Sequence, residues 1–237
     1  SAARSLLAGN PQLAVLLGLA GLVALLVAGL LYRRLRRTPG ERLQYALSKL
    51  DAVTVLMHPN PDPDSMAAAL GVAHLADRAG ATPTIQYAGQ IRHQENRAFR
   101  TVLEVEADGI DSADEIAPGA VVLVDHNEPR GFSGAKGVEP YAVVDHHPGE
   151  GAGSAFTDVR TDYGACASIV AEYFDELGVR PGNPDSNGQG PVIPTTIATG
   201  LLYGILSDTN HLTRGCSNAE FRASAFLYPG VDEEALD

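Results

Sequence analysis

Residues 52–65 read AVTVLMHPNPDPDS, an apolar, valine-rich run that breaks at once into a turn holding three prolines. The run Ala52–His58 suits a buried strand. Pro59, Pro61 and Pro63 bar a helix until the last of them is passed, and the stretch Ser65–Ala79 then carries helical periodicity, with Asp64 or Ser65 as its N-cap. Strand, sharp turn and helix in that order open an α/β unit, and Asp62 and Asp64 fall on the turn between them.

The same alternation continues on both sides. A helix is expected over Arg42–Leu50, a strand over Thr84–Tyr87, a helix over Asn96–Val105, strands over Ala120–Asp125 and Tyr141–Asp145, and a helix over Ala165–Leu177. Pro181–Pro194 is dense in glycine, proline and asparagine and reads as a loop. Helices over Thr195–Leu206 and Asn218–Leu227 complete the pattern. Such a series implies an α/β fold with a mainly parallel β-sheet flanked by helices.

Ahead of this domain, 19 residues from Leu13 to Leu31 run without a charge or a proline. At 1.5 Å per residue they nearly match a hydrocarbon layer of about 30 Å, so one N-terminal transmembrane helix is expected. Tyr32 would lie at the interface, and Arg33, Arg34, Arg36 and Arg37 form a basic stop, which places the following domain on the cytoplasmic side of the cell membrane. Ala20, Ala24 and Ala28 repeat at helical spacing and offer a face for a homodimer. The expected organisation is an anchor over 1–37, a connector helix over 38–50 and a main domain over 51–237. The chain opens with Ser1 rather than methionine, so an upstream portion is expected to have been removed.

Charge narrows the function. The 237 residues carry 17 basic and 29 acidic groups, a formal net charge of −12, which argues against a protein held to double-stranded DNA by a basic surface. Six of the basic groups lie within residues 1–44, and Lys49 and Lys136 are the sole lysines. An acidic, lysine-poor surface tolerates concentrated salt through screening, and a halophilic source is expected on that ground. The two cysteines, Cys166 and Cys216, read as buried free thiols.

Four acidic or histidine-bearing clusters each close an apolar run: His58 with Asp62 and Asp64, Asp125-His126-Asn127, Asp145-His146-His147, and Asp208. The carboxyl ends of parallel strands share one edge of a sheet, so these clusters are expected to converge there from strand ends. Taken singly, Asp64 could be a helix cap, Asp125 a turn residue and His146 a packed histidine. Chance yields an H-x-x-x-D-x-D pattern only about 0.03 times and a D-H-H about 0.014 times in such a chain.

Carboxylates so crowded repel one another unless their pKa values rise or cations neutralise them, and two divalent ions would do so. Carboxylate and imidazole ligands without thiolate favour manganese first, then magnesium, cobalt or iron. Two such ions about 3.5 to 4 Å apart would share a carboxylate, activate a water and clamp a phosphoryl oxygen, which is phosphoester hydrolysis.

HPNPDPDSMAAALG, LVDHNEP, VVDHHP and GILSDTNHL resemble the four ordered motifs of the DHH phosphoesterase superfamily, over about residues 51–227. The resemblance implies one ion on His58, Asp62 and Asp125, and another on Asp64, Asp125, His146 and Asp208, with Asp125 bridging. It places Asp145 behind the ligands, orienting a histidine, and His147 against the scissile phosphate as an electrophilic contact or proton donor. His126 and His211 would touch substrate or support the metal shell. Arg92, Asn96 and Arg97 are candidate substrate contacts, and Arg130, Arg160 and Arg214 are further basic groups within the chain.

Families similar in motif include RecJ-like exonucleases, oligoribonucleases, cyclic-dinucleotide phosphodiesterases, a phosphatase of adenosine 3',5'-bisphosphate and manganese pyrophosphatases. LVDHNEP resembles the pyrophosphatase pattern. YGACASIV, LLYGILSDTNHLT and the apolar N-terminal run are more similar to the short-RNA and cyclic-dinucleotide group. The expectation is a phosphodiesterase acting on small nucleotides or short single-stranded RNA. A manganese-dependent pyrophosphatase and a non-catalytic nucleotide-sensing module at the membrane are the alternatives. Such enzymes carry a second, C-terminal domain with a GGGH-type motif, yet the chain has no Gly-Gly dipeptide and ends at Asp237, so that substrate-binding half is expected to be absent.

Overall fold

A computed structural model describes residues 11–182 and 190–236; the side chains at 11, 13, 14 and 30–35 and the residues of the 181–194 loop numbered 183–189 lie outside the description. The chain divides into two compact units between Thr38 and Pro39. The first contains helix α1, Pro11–Leu35.

The expectation of a membrane anchor is overturned. Among the described residues no helix is long and apolar enough to cross a membrane. The single-pass topology, the cell-membrane localisation and the cytoplasmic placement that rested on this span are therefore withdrawn.

In the second unit the elements follow as α2 (Pro39–Leu47), β1 (Ala52–Met57), α3 (Pro63–Arg78), β2 (Thr82–Ala88), α4 (Gln94–Val102), β3 (Asp108–Ile110), β4 (Ala120–Val124), β5 (Ala142–Asp145), β6 (Phe156–Val159), α5 (Cys166–Glu176), β7 (Arg180–Pro181), β8 (Val192–Ile193), α6 (Thr195–Asp208) and α7 (Asn218–Leu227). Six strands form one sheet in the order β3-β2-β1-β4-β5-β6, with every neighbouring pair parallel. β7 and β8 pair in parallel inside the stretch expected to be a loop. The short strands β3 and β6 carry too few residues for alternation to be read from sequence.

Period-two alternation sorts the strand residues between two cores. Val53, Val55, Met57, Val122 and Val124 join the large cluster shared with the helices. Leu56, Val121, Leu123 and Val143 join a smaller one with Ile116, Phe132 and Val138 from the connecting loops. Helix α2 belongs to the main unit: Leu43 and Leu47 are fully buried, and the Tyr141 hydroxyl donates to the Ala46 carbonyl at 3.0 Å.

Helix α3 starts as its prolines dictate. Pro63 takes the first position, where a missing N–H costs nothing, and Asp62 rather than Asp64 or Ser65 is the N-cap, its Oδ1 accepting from the Ser65 amide at 3.0 Å. Small residues let α3 and α6 approach closely. A Cβ added at Gly204 would lie 3.1 Å from the Asp64 Cα and 3.2 Å from the Pro63 carbonyl oxygen.

Candidate metal centre

In a strand order of 3-2-1-4-5-6 the chain moves one way from β1 and the other way from β4, which opens a crevice outside their carboxyl ends. The sequence clusters gather at that crevice. His58 follows β1, Asp125 follows β4, Asp145 ends β5, and His146 and His147 come next. Asp208 corrects the strand-end expectation: it is the last residue of helix α6 and reaches the crevice from the helical layer.

Asp125 is the hub. It is 1% exposed and its backbone sits at φ 60°, a left-handed conformation that aspartate tolerates better than most residues. One carboxylate oxygen, Oδ2, lies 3.2 Å from His58 Nε2, while Oδ1 lies 3.2 Å from His146 Nε2. His58 Nε2 is also 3.7 Å from Asp62 Oδ2. His146 Nε2 is 3.8 Å from Asp64 Oδ2 and 3.4 Å from Asp208 Oδ2.

Two donor sets result, His58 with Asp62 and Asp125, and Asp64 with His146 and Asp208; Asp125, His146 and His147 form a third overlapping group. Ligand atoms 2.0 to 2.2 Å from a common cation stand roughly 3.0 to 3.5 Å apart. The observed separations match or slightly exceed that spacing. Asp125 Oδ1 and His146 Nε2 are buried and lack a well-formed hydrogen bond, the sign of polar atoms that await a partner. Oxygen and imidazole donors without sulfur fit a divalent cation such as manganese.

The surroundings fix how these groups point. His58 Nδ1 lies 2.9 Å from the Pro59 carbonyl and His146 Nδ1 lies 3.2 Å from that of Tyr163, so in both rings the tautomer with the proton on Nδ1 leaves Nε2 as the ligating nitrogen. Asp64 accepts the Cys166 amide on Oδ2 at 2.7 Å and the Ala167 amide on Oδ1 at 2.8 Å, both at the N-terminus of α5. Asp145 accepts the His146 amide at 2.8 Å and meets His147 Nδ1 at 2.9 Å. His147 is half exposed.

Crowding is visible in the ionisation of the metal-free site. Burial opposes the charged form of His58, but Asp125 and Asp62 outweigh it and hold the ring up at about 10. His146 is likewise raised to about 10, against burial, by Asp125, Asp64 and Asp208. Burial would raise Asp125, yet His146 and His58 pull it down to about 2. Burial, Asp62 and Asp125 push Asp208 up to about 6, and burial followed by Asp125 drives Asp64 well above the usual carboxylate range. Protons on the two histidines thus compensate acids that a divalent cation would compensate instead.

The remaining expected residues lie further out. His126 is buried with its Nδ1 on the Val124 carbonyl, and burial lowers it to about 4. Asn96 is buried and donates to the Pro61 carbonyl at 2.8 Å, bracing the turn that carries Asp62. Arg92 is exposed and its amide donates to Asn60 Oδ1, while the Arg97 guanidinium donates to the Arg92 carbonyl. His211 is exposed in a left-handed turn beyond α6. A crevice of about 650 Å³ beside His58 and Asp62 is lined by His93, Glu95, Asn96 and Ser207. The Arg160 guanidinium is taken up by Asp158 and Glu172, each at 2.7 Å, which removes it from the free basic groups.

Sequence reasoning missed the main-chain donors of Cys166 and Ala167 and the Tyr163 carbonyl, because backbone groups leave no side-chain signature. It named Asn127 within a cluster but gave it no role; its Nδ2 donates to Asp145 Oδ2 at 2.7 Å. Its place directly after Asp125-His126 was the available signal.

Comparison with known proteins resolves the ancestry. The profile of the DHH family, N-terminal domain, matches residues 52–205. The chain belongs to the DHH family. The matched span of this DHH protein holds His58, Asp62, Asp64, Asp125, Asp145, His146 and His147, with Asp208 just beyond it. An uncharacterised protein of Methanocaldococcus jannaschii is 30% identical over 183 residues, 77% of this chain and 36% of the relative. Proteins named as probable manganese-dependent inorganic pyrophosphatases are similar in Streptococcus thermophilus, 29% identical over 68% of this chain and 49% of theirs, and in Archaeoglobus fulgidus, 30% identical over 66% and 49%. The DHH chain thus spans about a third to a half of the curated relatives it matches. The crystal structure of an exopolyphosphatase-related protein from Bacteroides fragilis shares the fold, with a TM-score of 0.54 at 15% identity over 82% of this chain and 58% of that one. A halophilic source gains no support from these relatives.

Proposed function

We propose that this DHH protein is a metal-dependent phosphoesterase that hydrolyses phosphodiester bonds of small nucleotides, linear or cyclic dinucleotides or short oligoribonucleotides, with two divalent ions, manganese first. The observation that carries the reading is the split of the Asp125 carboxylate between two imidazole-carboxylate groups, each oxygen 3.2 Å from a different histidine. His58, Asp62 and Asp125 would hold one ion; Asp64, Asp125, His146 and Asp208 would hold the other. When bound, such ions supply Lewis-acid stabilisation of charge on a phosphoryl group and activation of water.

The chain's own residues supply position and a proton. Asp145 holds His147 by Nδ1, so the ring offers Nε2 toward a substrate in the crevice. Their hydrogen bond is the first cause of the raised pKa of His147, which keeps the ring protonated more readily and suits it to protonate a departing oxygen. Asn127 restrains Asp145 from the far side and completes the chain of orientation. His126, Arg92, Asn96, Arg97 and His211 are proposed to shape or touch the substrate end of the cleft.

A second reading is favoured by a specific observation: two of the relatives described above are named as manganese-dependent inorganic pyrophosphatases. The two readings divide on substrate. The chain, supplied with manganese, is assayed against pyrophosphate, cyclic dinucleotides, linear dinucleotides and 3'-phosphorylated nucleotides. Nucleoside monophosphate released from a dinucleotide, and lost in Asp125→Ala, supports the first reading. Phosphate released from pyrophosphate alone replaces it with the second, and a nucleotide that binds without being consumed replaces both with a sensing role.

A further inference from the structure

One half of the metal centre is set by a single stretch of backbone. In residues 160–167, the Tyr163 carbonyl lies 3.2 Å from His146 Nδ1, and the amides of Cys166 and Ala167 hold the two oxygens of Asp64. The ring angle of His146 and the carboxylate plane of Asp64 therefore depend on where this segment lies. Among the described residues, His58 is oriented instead by the Pro59 carbonyl, and Asp62 by the helix it caps.

The segment is gripped at two points. At its start the Arg160 amide donates to the Asp145 carbonyl at 2.9 Å. Its guanidinium forks onto Asp158, with Nε 2.9 Å from Oδ1 and Nη2 2.7 Å from Oδ2, and Nη1 reaches Glu172 at 2.7 Å and the Tyr163 hydroxyl at 2.9 Å. Asp158 also accepts from the buried Tyr173 hydroxyl at 2.6 Å, and Glu172 from that of Tyr163 at 2.6 Å. In the middle, the Gly164 amide donates to Glu220 Oε1 at 2.9 Å. Glu220 is fully buried in the first turn of α7, and its Oε2 accepts from the Ser217 amide and hydroxyl.

We propose that Arg160 and Glu220 are positioning residues that clamp segment 160–167 and thereby set His146 and Asp64 for one of the two ions. Neither touches that ion. A fork of several charge-assisted bonds fixes direction as well as distance, which a lysine ammonium would not do. The inference rests on the reading that the group around His146 takes a cation, and it adds two residues from outside the ligand set, one on the strand side and one on helix α7.

The test measures manganese binding by the whole chain, by calorimetry and by electron paramagnetic resonance, for the wild type, Arg160→Met, Arg160→Lys, Glu220→Gln and the control Arg180→Met. The wild type is expected to take two ions and to show the signal of a coupled pair. In Arg160→Met and Glu220→Gln one ion is expected to weaken by about 10- to 100-fold, the range for losing a group that orients a ligand, while the other holds. The spectrum at intermediate loading then becomes that of an isolated ion. Arg160→Lys is expected to recover part of the loss, and Arg180→Met, whose guanidinium pairs on the surface with Asp175, none to lose.

Equal weakening of both ions would assign Arg160 and Glu220 a merely structural role and overturn the proposal. So would two ions bound with wild-type affinity in both variants. A wild type that binds no ion would overturn the metal reading itself, and this inference with it. If Arg160→Met fails to fold, Glu220→Gln and Arg160→Lys carry the same split between the ions as the deciding result.

Discussion

The Cys166 amide and the Asp64 carboxylate, 102 residues apart, meet at 2.7 Å at the head of helix α5. A fully buried acid whose ionised form is opposed by burial and by Asp125 is thus stabilised from one direction by the positive end of a helix. In Asp64→Asn only one carboxamide atom accepts, so one of the two amide bonds is lost and an NH2 group faces an N–H. The metal-free variant is expected to lose about 1 to 3 kcal/mol in denaturant unfolding, and calorimetry is expected to show one manganese ion rather than two.

Removing the hub has a wider effect than removing any outer ligand. Asp125→Ala takes an oxygen from both donor sets at once. Both ions are expected to be lost together, and metal-dependent turnover to fall by more than the roughly 100-fold that loss of an outer partner costs. Retention of a tight first ion in this variant would refute the shared role.

His147 is separable from the ligands. Its Nδ1 is engaged by Asp145. His147→Gln is expected to keep two ions yet lose about 10²- to 10⁴-fold in kcat, with the loss shrinking for substrates whose leaving group needs no proton. In Asp145→Asn the foremost cause of the raised His147 pKa is gone, so the alkaline limb of the rate profile is expected to move to lower pH.

The metal-free fold and metal uptake should respond to pH with opposite signs. His58 and His146 stand near 10 in the folded chain against a usual 6.5. Their protonated forms stabilise the metal-free protein fully below about pH 6.5, and that contribution is lost as pH rises through the folded value. Over the same window the ligands are freed of protons and manganese affinity should rise. Melting curves with and without manganese are therefore expected to diverge from pH 6.5 upward. At 100 times its dissociation constant the ion adds about 2.7 kcal/mol. A gap that narrows toward alkaline pH would contradict the assignment.

Gly204 tests the packing that brings α6 to the crevice. Any Cβ there meets the backbone of Pro63 and Asp64. Gly204→Val is expected to cost about 1 to 3 kcal/mol by overpacking and to weaken the ion that Asp208 would share, because the helix end must retreat from Asp64.

Much of the site was legible because its chemistry is written in side chains at the ends of apolar runs. His58, Asp125, Asp145 and His146 could be placed from the strands before them. Asp208 was found by its motif just past the helix expected over Thr195–Leu206, although the convergence argument counted its cluster among the strand ends. Asp64 was weighed as a helix cap, yet Asp62 caps the helix and Asp64 faces the crevice two residues on, a difference set by Pro63 occupying the first helical position. The short strands β3 and β6 are stabilised by pairing with neighbours already in place rather than by their own pattern. The N-terminal run misled because an unbroken apolar stretch was read as a bilayer crossing that the described helix does not support.

The divergence of the chain from β1 and β4 in opposite directions has an evolutionary consequence. The walls on either side of the cleft descend from separate connections, so one can be lengthened or recoloured in charge while the side chains between the two strands keep their places. A lineage built on this plan can exchange one phosphorylated molecule for another by redecorating a rim, without reinventing the engine.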